Sequence, residues 1–156
     1  MQKILSLTEL QRKVAAWRVL QDEVVFTNGC FDLLHIGHLR YLQAARKLGD
    51  HLIIGLNTDA SVRQLKGPHR PILPQAERAE MLAALACVDA VVLFAEETPL
   101  SLINSLRPDI LVKGADYTKA KVIGAPEVES WGGRVELIAF EAGYSTTALI
   151  DRIRQG

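Results

Sequence analysis

Cysteine is scarce in this chain of 156 residues, which contains only Cys30 and Cys87. Neither belongs to a CxxC pair or to another metal-type spacing, so we expect two reduced thiols in a cytoplasmic protein and no structural metal. No charge of one sign is in excess either, because 18 Lys and Arg balance 18 Asp and Glu and give a formal net charge of +0. A generic nucleic-acid binder would show a basic excess, so we expect no nucleic-acid partner.

Long apolar runs and several well-known motifs are also missing. No stretch approaches the ~20 apolar residues of a membrane span, and charges interrupt the N-terminal segment before a signal peptide could form, so we expect no membrane partner. The GxGxxG motif that opens dinucleotide-binding domains does not follow the first strand, which argues against a dehydrogenase-type domain. The zinc motif HExxH is absent as well.

What is present is a regular alternation of short apolar runs and amphipathic helices. With 49% hydrophobic residues, the chain can bury one core, and its length fits one domain over 1–156. Ser6 and Glu9 form a capping-box pattern that predicts an N-terminal helix over about 6–18. The predicted strands after it are 24–28, 51–57, 89–94, 109–114 and 134–140. The predicted helices between and after them are 38–49, 58–65, 75–87, 98–107, 125–132 and 145–155.

Strand and helix alternate five times, which indicates an α/β fold built on a five-stranded parallel sheet with helices on both faces, a Rossmann-like doubly wound core over about 24–156. Ligands of such sheets bind beyond the carboxyl ends of the strands. The site should therefore be built from the junctions 27–38, 57–72, 113–118 and 141–148.

The first junction, TNGCFDLLHIGH, carries two histidines three residues apart, His35 and His38. Residues at this spacing share one side of a helix, so both rings can face one ligand beside the positive helix N-terminus. Gly37 between them would let a phosphate approach the backbone. An HxxH pair alone is weak evidence, and two surface histidines are the alternative. The residues expected to line the phosphate site from the strand exit are Thr27, Asn28, Gly29, Cys30, Phe31 and Asp32.

A second anion cradle is predicted at the start of the last helix, in GYSTT. The hydroxyl groups of Ser145, Thr146 and Thr147, with the free N–H groups of the helix start, can bind a phosphate. The alternative is an ordinary N-cap, and both interpretations can hold together.

Cations stand in the loop KGPHRPI and in the helix after it. We expect Lys66 and Arg70 to contact phosphate, and His69 to be a solvated surface residue. Arg78 either contacts substrate or forms salt bridges within its helix.

The segment LVKGADY follows the fourth strand. Lys113, Gly114 and Asp116 are candidates for nucleotide contact. Asp116 could accept hydrogen bonds from ribose hydroxyls or a base amino group, or it could be a plain turn residue.

Two of these stretches carry a family resemblance. GCFDLLHIGH and GYSTTALI resemble the GxFDxxHxGH and GxSTTxxI motifs of the HxGH nucleotidyltransferase superfamily. The stretches ARKLGD, LNTDASVRQLKG with HRPI, and LVKGADY are most similar to its heptose 1-phosphate adenylyltransferases. The resemblance covers about 24–153. Tyr144 and Pro68-His69 depart mildly from the family pattern.

The resemblance implies transfer of AMP from ATP to D-glycero-β-D-manno-heptose 1-phosphate, giving ADP-heptose and pyrophosphate for lipopolysaccharide synthesis. It implies catalytic roles for His35, His38 and Lys66, and Mg²⁺ bound with ATP, for which Asp32 is the nearest carboxylate. A homodimer or higher oligomer and a separate upstream heptose kinase are also implied. The attacking phosphate is already ionised near neutral pH, so we expect no general base.

Two other functions stay open. Cytidylyltransferases acting on glycerol 3-phosphate share both motifs, although they differ in the loop at 66–72 and in the segment at 113–117. A non-catalytic nucleotide sensor is the second alternative, although it would not need to keep both histidines and Lys66. A class I aminoacyl-tRNA synthetase has a similar histidine motif, but this chain is too short and lacks the second, lysine-rich loop.

Overall fold

The computed structural model of this protein describes residues 2–140 and 142–156. Five strands form one sheet in the order β3-β2-β1-β4-β5, and each neighbouring pair is parallel. The strands are β1 (Val24–Gly29), β2 (His51–Asn57), β3 (Ala90–Phe94), β4 (Ile110–Gly114) and β5 (Arg134–Ile138). The chain starts at the centre, moves to one edge and returns to build the other, which confirms the predicted doubly wound sheet.

Seven α-helices and one short 3-10 turn, Lys119–Lys121, accompany the sheet in the described residues. The helices are α1 (Leu7–Val19), α2 (Ile36–Arg46), α3 (Asp59–Lys66), α4 (Gln75–Ala83), α5 (Leu100–Leu106), α6 (Ala125–Ser130) and α7 (Thr146–Gln155). None of the helices in the described ranges has the length and apolar character needed to cross a bilayer.

Two separate hydrophobic clusters cover the two faces of the sheet. Buried side chains of α1, α5 and α6 form one of them, with Leu10, Ile103 and Val128 among its members. Side chains of α2 and α4, such as Leu42 and Leu82, form the other. Because both faces are covered, β1, β2 and β3 are mostly buried and apolar, whereas the edge strand β5 alternates between polar residues such as Arg134 and Glu136 and apolar ones.

Most predicted element boundaries agree with the structure to within two or three residues. The Ser6 capping box is confirmed: the Ser6 side chain accepts from the Glu9 N–H at 3.2 Å, and the Glu9 carboxylate accepts from the Ser6 N–H at 2.8 Å. The helix predicted over 75–87 was too long. It ends at Ala83, where the chain tightens into turns so that it can enter β3.

Other differences lie at element ends. The helix predicted over 98–107 is shorter, because Pro99 is its N-cap and the helix runs from Leu100 to Leu106. The helix predicted over 38–49 begins earlier, at Ile36, and ends at Arg46. A short parallel bridge between Ile4 and Val91, not predicted from the sequence, ties the N-terminal segment to β3.

The carboxyl ends of all five strands lie along one edge of the sheet. The two apolar strands that precede the histidine motif and the KGADY segment, β1 and β4, are direct neighbours there. Segments far apart in sequence are thereby brought to one place.

Candidate active site

A cavity of about 600 Å³ lies at this edge and draws on the exits of all five strands. Most of the predicted site residues line it: Asn28, Gly29, Cys30, Phe31, Asp32, His35, His38, Lys66, Arg70, Lys113, Ser145, Thr146 and Thr147. Thr27, Gly37, Arg78, Gly114 and Asp116 are not among the lining residues.

The two histidines form a stacked pair at the start of α2. Their ring centroids are 3.9 Å apart with an interplanar angle of 27°. His35 is the N-cap, and its Nδ1 accepts from the Gly37 N–H at 3.1 Å. This hydrogen bond assigns the ring proton to Nε2. Nε2 of His35 is buried and has no hydrogen-bond partner among the described residues, so its N–H is free to donate to a ligand oxygen.

Both rings are neutral at pH 7. Burial, together with the neighbouring His35, lowers the pKa of His38 to about 4, and a hydrogen bond with the Leu33 backbone acts in the opposite direction. Burial also lowers the pKa of His35. In the free protein the pair therefore offers hydrogen-bond donors rather than positive charge.

The His38 pKa gives a prediction for stability against pH. Since its folded value, about 4, lies below the unfolded value of about 6.5, the neutral ring stabilises the fold fully above pH ~6.5. This contribution is lost as the pH falls toward the folded pKa. We expect His38→Gln to lose less unfolding free energy than the parent between pH ~6.5 and ~4 in urea titrations. A His38 ring that titrates near pH 6.5 by NMR would contradict this.

Gly37 has a packing role that the sequence did not suggest. A Cβ added there would lie 2.8 Å from the Tyr144 Cβ and 2.9 Å from the His35 ring. The absence of a side chain thus lets the segment around Tyr144 close over His35, whose ring lies 6.4 Å from the Tyr144 ring. Close approach of phosphate to the Gly37 backbone stays a prediction.

Asp32 is not placed to bind a metal ion, contrary to the expectation from its position in the motif. Its carboxylate accepts from Arg70 Nε at 2.8 Å and from the backbone N–H groups of Ile72 and Leu73 at 2.9 Å. Burial alone would raise the pKa of Asp32, but these hydrogen bonds outweigh it and hold the pKa below its usual value. Asp32 therefore fastens the Lys66–Arg70 loop to the exit of β1.

We expect Asp32→Asn to lower the free energy of unfolding at pH 7 by about 1–3 kcal/mol, because an amide cannot accept from all of these donors. Because the pKa of Asp32 is lower in the folded protein than in the unfolded chain, the ionised carboxylate stabilises the fold at pH values above the unfolded pKa of about 4. This stabilisation is lost as the pH falls through the folded pKa. The difference between variant and parent should thus shrink below pH ~4 in urea denaturation. Asp151→Asn, exposed on α7, is the control. Equal stability of Asp32→Asn and the parent at pH 7 would contradict the fastening role.

The structure does not support substrate contact by Arg78. Its side chain is fully buried. Nε donates to the Leu73 carbonyl at 3.0 Å, and Nη1 donates to the carbonyls of Cys30 and Asn57 at 2.7 and 2.9 Å. Nη2 pairs with Asp59 at 2.8 Å. The alternative prediction, that Arg78 forms a salt bridge, is confirmed. Its partner Asp59 lies on α3, however, and not within the helix of Arg78 itself.

Thr27 likewise points into the core rather than toward a nucleotide. Its hydroxyl donates to the Val112 carbonyl at 3.1 Å and therefore accepts from the Tyr41 hydroxyl at 2.9 Å. Burial helps to raise the pKa of Tyr41 to about 12, with the Thr27 hydrogen bond acting against it. Thr27 links β1, β4 and α2 beneath the site.

Three cationic side chains line the cavity from separate elements. Lys66 is the exposed last residue of α3, and Arg70 follows on the same loop. Lys113 is the second-last residue of β4 and is half-buried, with its Nζ 5.6 Å from the centroid of the Tyr117 ring. Burial lowers the pKa of Lys113, whereas Cys30 and Asp116 raise it. Together they surround the histidine pair with positive charge suited to phosphates.

Gly114 and Asp116 come directly after Lys113 in the chain but do not line the cavity. A Cβ added to Gly114 would collide with the Phe140 ring and lie 2.6 Å from the Asp116 carboxylate. A glycine is therefore required at 114 for packing against Phe140 and Asp116. Nucleotide contact by Gly114 or Asp116 stays a prediction.

The second motif caps α7, and its residues also face the cavity. The Ser145 hydroxyl accepts from the Ala148 N–H at 2.9 Å, so the capping interpretation holds. Because Ser145, Thr146 and Thr147 line the cavity, the α7 N-terminus is directed at the same space as the α2 N-terminus. Two helix dipoles then favour an anion there.

Several lining residues were not predicted as site residues: Asn57, Leu65, Phe94, Glu97, Thr98, Pro99, Tyr117, Ile123, Phe140 and Tyr144. Several of them end or closely follow a predicted strand, which was the available signal. The apolar and aromatic ones are of types that also build a core. Tyr117, Ile123, Phe140 and Tyr144 are in fact 44–47% exposed around the cavity.

The family model described as cytidylyltransferase-like matches residues 26–152. The chain belongs to the cytidylyltransferase-like family. This confirms the resemblance to nucleotidyltransferases that the two motifs indicated, and the prediction of a nucleotidyltransferase enzyme on a Rossmann-like sheet.

Among characterised relatives, the chain is 58% identical over 154 residues to the bifunctional protein HldE of Geotalea uraniireducens, covering 99% of this chain and 31% of that protein. It is 65% identical over 130 residues to HldE of Syntrophotalea carbinolica, covering 83% of this chain and 26% of the relative. The chain thus spans less than a third of the length of these bifunctional relatives.

Solved structures show the same fold. A lipopolysaccharide core biosynthesis protein from Thermoplasma volcanium is 28% identical, with a TM-score of 0.63 over 77% of this chain and 97% of that one. A pantoate-beta-alanine ligase from Francisella tularensis has a TM-score of 0.67 over 97% of this chain and 73% of its own. At 12% identity the second likeness is one of fold alone.

Proposed function

We propose that this protein is an adenylyltransferase that transfers AMP from ATP to heptose 1-phosphate. The observation that carries the nucleotidyl-transfer chemistry is the buried, unpartnered Nε2 of His35 in a cavity shared by two helix N-termini and three cations. Such an arrangement binds the anions of a triphosphate and stabilises charge that develops on them. The choice of heptose is supported by the HldE relatives and by the resemblance of the KGPHRPI and KGADY segments.

In the proposed reaction, a phosphate oxygen of the sugar phosphate attacks the α-phosphorus of ATP. The bond between that phosphorus and the bridging oxygen to the β-phosphate breaks, and pyrophosphate leaves with the electron pair. The attacking monoester oxygen is already ionised, so no base has to remove a proton. The barrier is the approach of two anions and the charge building on the leaving group, which makes positioning and electrostatics the main contributions.

The roles of the residues follow from their places in the cavity. His35 and His38 donate hydrogen bonds to the phosphates at the centre, aided by the α2 N-terminus. Lys66 brings a charge from its loop, which Asp32 fastens through Arg70. Ser145 and Thr146 hold the β- or γ-phosphate at the α7 N-terminus.

Mg²⁺ would come with ATP and neutralise phosphate oxygens. The described residues contain no group of three or more His, Cys, Asp or Glu side chains able to hold a metal ion. Asp32 is already engaged by Arg70 and two backbone donors. The described side chains therefore hold no preassembled cluster of three metal ligands, and phosphate and water oxygens would supply most of the Mg²⁺ ligands.

A cytoplasmic enzyme of this kind needs a kinase to supply the sugar 1-phosphate, and we propose a heptose kinase as its pathway partner. We also propose that it works as a homodimer or higher oligomer. Sedimentation velocity measures the second point directly.

Pyrophosphate release tests the function, with ATP and CTP each paired with heptose 1-phosphate and with glycerol 3-phosphate. Release with ATP and the heptose alone is expected. Release with CTP and glycerol 3-phosphate would keep the mechanism and replace the substrates. ATP binding in calorimetry without product from any pair would favour the nucleotide sensor.

A further inference from the structure

The strand order divides the cavity into two sides. The exit of β1 with the histidine pair stands in the middle, the exits of β2 and β3 lie to one side, and those of β4 and β5 lie to the other. Two substrates that react at phosphates held in the middle must extend in different directions from it. Each side should therefore match the chemistry of one substrate.

The side formed beyond β4 and β5 is apolar and aromatic. Tyr117, Ile123, Phe140 and Tyr144 line it, and each is nearly half exposed. Large apolar side chains left open in one place suit a flat, largely apolar group such as a nucleobase. This leaves the opposite side for the acceptor.

The side beyond β3 carries an unpaired carboxylate next to a hydroxyl. Glu97 is exposed and lines the cavity, and its carboxylate has no hydrogen bond or ion pair to any of the residues that the structure describes. The neighbouring Thr98 hydroxyl accepts from the Leu100 N–H at 3.4 Å, which leaves its own proton to donate. An acceptor and a donor thus stand side by side.

A free carboxylate is out of place in a cavity that binds only phosphate. It repels anions, whereas Lys66, Arg70 and Lys113 attract them. Asp32, the other carboxylate on the lining, is saturated by its loop contacts. Glu97 has no such contacts, so its carboxylate is free to accept from a ligand group that donates hydrogen bonds. Neutral hydroxyl groups of a polyol are such donors.

We propose that Glu97 and Thr98 form the sugar subsite. The Glu97 carboxylate accepts hydrogen bonds from hydroxyl groups of the polyol part of the acceptor, and Thr98 donates one to a sugar oxygen. The phosphate of the same acceptor lies toward Lys66 and Arg70. This inference rests on the proposed function, because it names the acceptor side of the same site and its ligand class, a polyhydroxylated phosphate monoester.

The test is Glu97→Gln, with Glu96→Gln as the matched control. Glu96 is the preceding residue, also exposed, but it does not line the cavity and accepts from the Ala95 N–H at 3.1 Å. A hydrogen bond to a charged group contributes enough that its loss should raise the KM for heptose 1-phosphate about tenfold or more. The KM for ATP should stay within about twofold of the parent value, and Glu96→Gln should leave both unchanged.

Other outcomes overturn the subsite. A rise in the KM for ATP alone would place Glu97 on the ribose, and unchanged values for both substrates would leave it without a ligand. If the parent enzyme releases no pyrophosphate from ATP and heptose 1-phosphate, the proposed function fails, and the subsite is then judged by calorimetry with heptose 1-phosphate and glycerol 3-phosphate. If Glu97→Gln binds either of these two phosphates more weakly than the parent and Glu96→Gln does not, the subsite is retained. If Glu97→Gln binds them as tightly as the parent, or if the parent binds neither, the subsite is removed.

Discussion

Replacing His38 by alanine is expected to lower kcat by about 10²–10³-fold, the scale of losing one group that stabilises developing charge. His38 lines the cavity and its ring stacks on His35, so its removal takes away a phosphate donor and loosens the neighbouring one. Its Nδ1 also accepts from the His35 N–H at 3.4 Å, a contact that helps hold the N-cap in place. The measurement is the steady-state rate of pyrophosphate release at saturating ATP and acceptor.

His69→Ala is the matched control, because His69 is exposed on the loop and does not line the main cavity. It should keep kcat within about twofold. A second variant, His38→Gln, retains a donor group, and partial recovery there would link the loss to donation rather than to folding. Near-normal turnover by a folded His38→Ala protein would remove His38 from the mechanism.

Replacing Arg78 by methionine is expected to lower the free energy of unfolding by about 3–5 kcal/mol, as removal of one partner from a buried ion pair does. Methionine keeps much of the apolar stem but leaves the carbonyls of Leu73, Cys30 and Asn57 without their donor. These carbonyls belong to the loop after α3, the exit of β1 and the end of β2. Urea denaturation at pH 7 gives the measurement.

Arg63→Met on the exposed surface of α3 is the control and should change stability by no more than about 0.5 kcal/mol. Arg78→Lys keeps the charge but donates from a single nitrogen, so it cannot reach all four acceptors that the guanidinium serves from Nε, Nη1 and Nη2 and should recover only part of the loss. In Arg78→Met protein that still folds, we expect weaker binding of both substrates. The reason is that the Arg78 side chain no longer hydrogen-bonds the loop after α3, the exit of β1 and the end of β2 to one another. Stability equal to that of the control would contradict this role.

The sheet and the centre of the site could be predicted because their signals are local. Apolar runs such as 24–28 and 51–57 are long enough to be buried strands, and glycines and caps mark their ends. The histidines, the Ser145 cap and the cations of the loop then follow from which junctions meet at the carboxyl edge. Helix and strand ends were less accurate, as at Ala83, because the path into the next strand decides them.

The predictions that failed concern polar residues within these motifs. Asp32, Arg78 and Thr27 are of types that bind nucleotides or metals, and they stand in segments that form the site. Each is instead satisfied by partners 5 to 85 residues away along the chain. No spacing rule reveals such partners, since a buried polar group accepts any donor or acceptor that the fold brings within reach.

The amino-acid sequence by itself determined the parallel α/β fold, the sheet edge at which the cavity lies and the two helix starts that face it, because apolar period, caps and glycines act within a few residues. Only the tertiary structure decided which polar side chains face the cavity and which hold it together. In the folded protein, Nε2 of His35 and the Glu97 carboxylate have no hydrogen-bond partner among the described residues, whereas Asp32 and Arg78 are fully engaged. The reason is that hydrogen-bond satisfaction depends on contacts between segments distant in the chain.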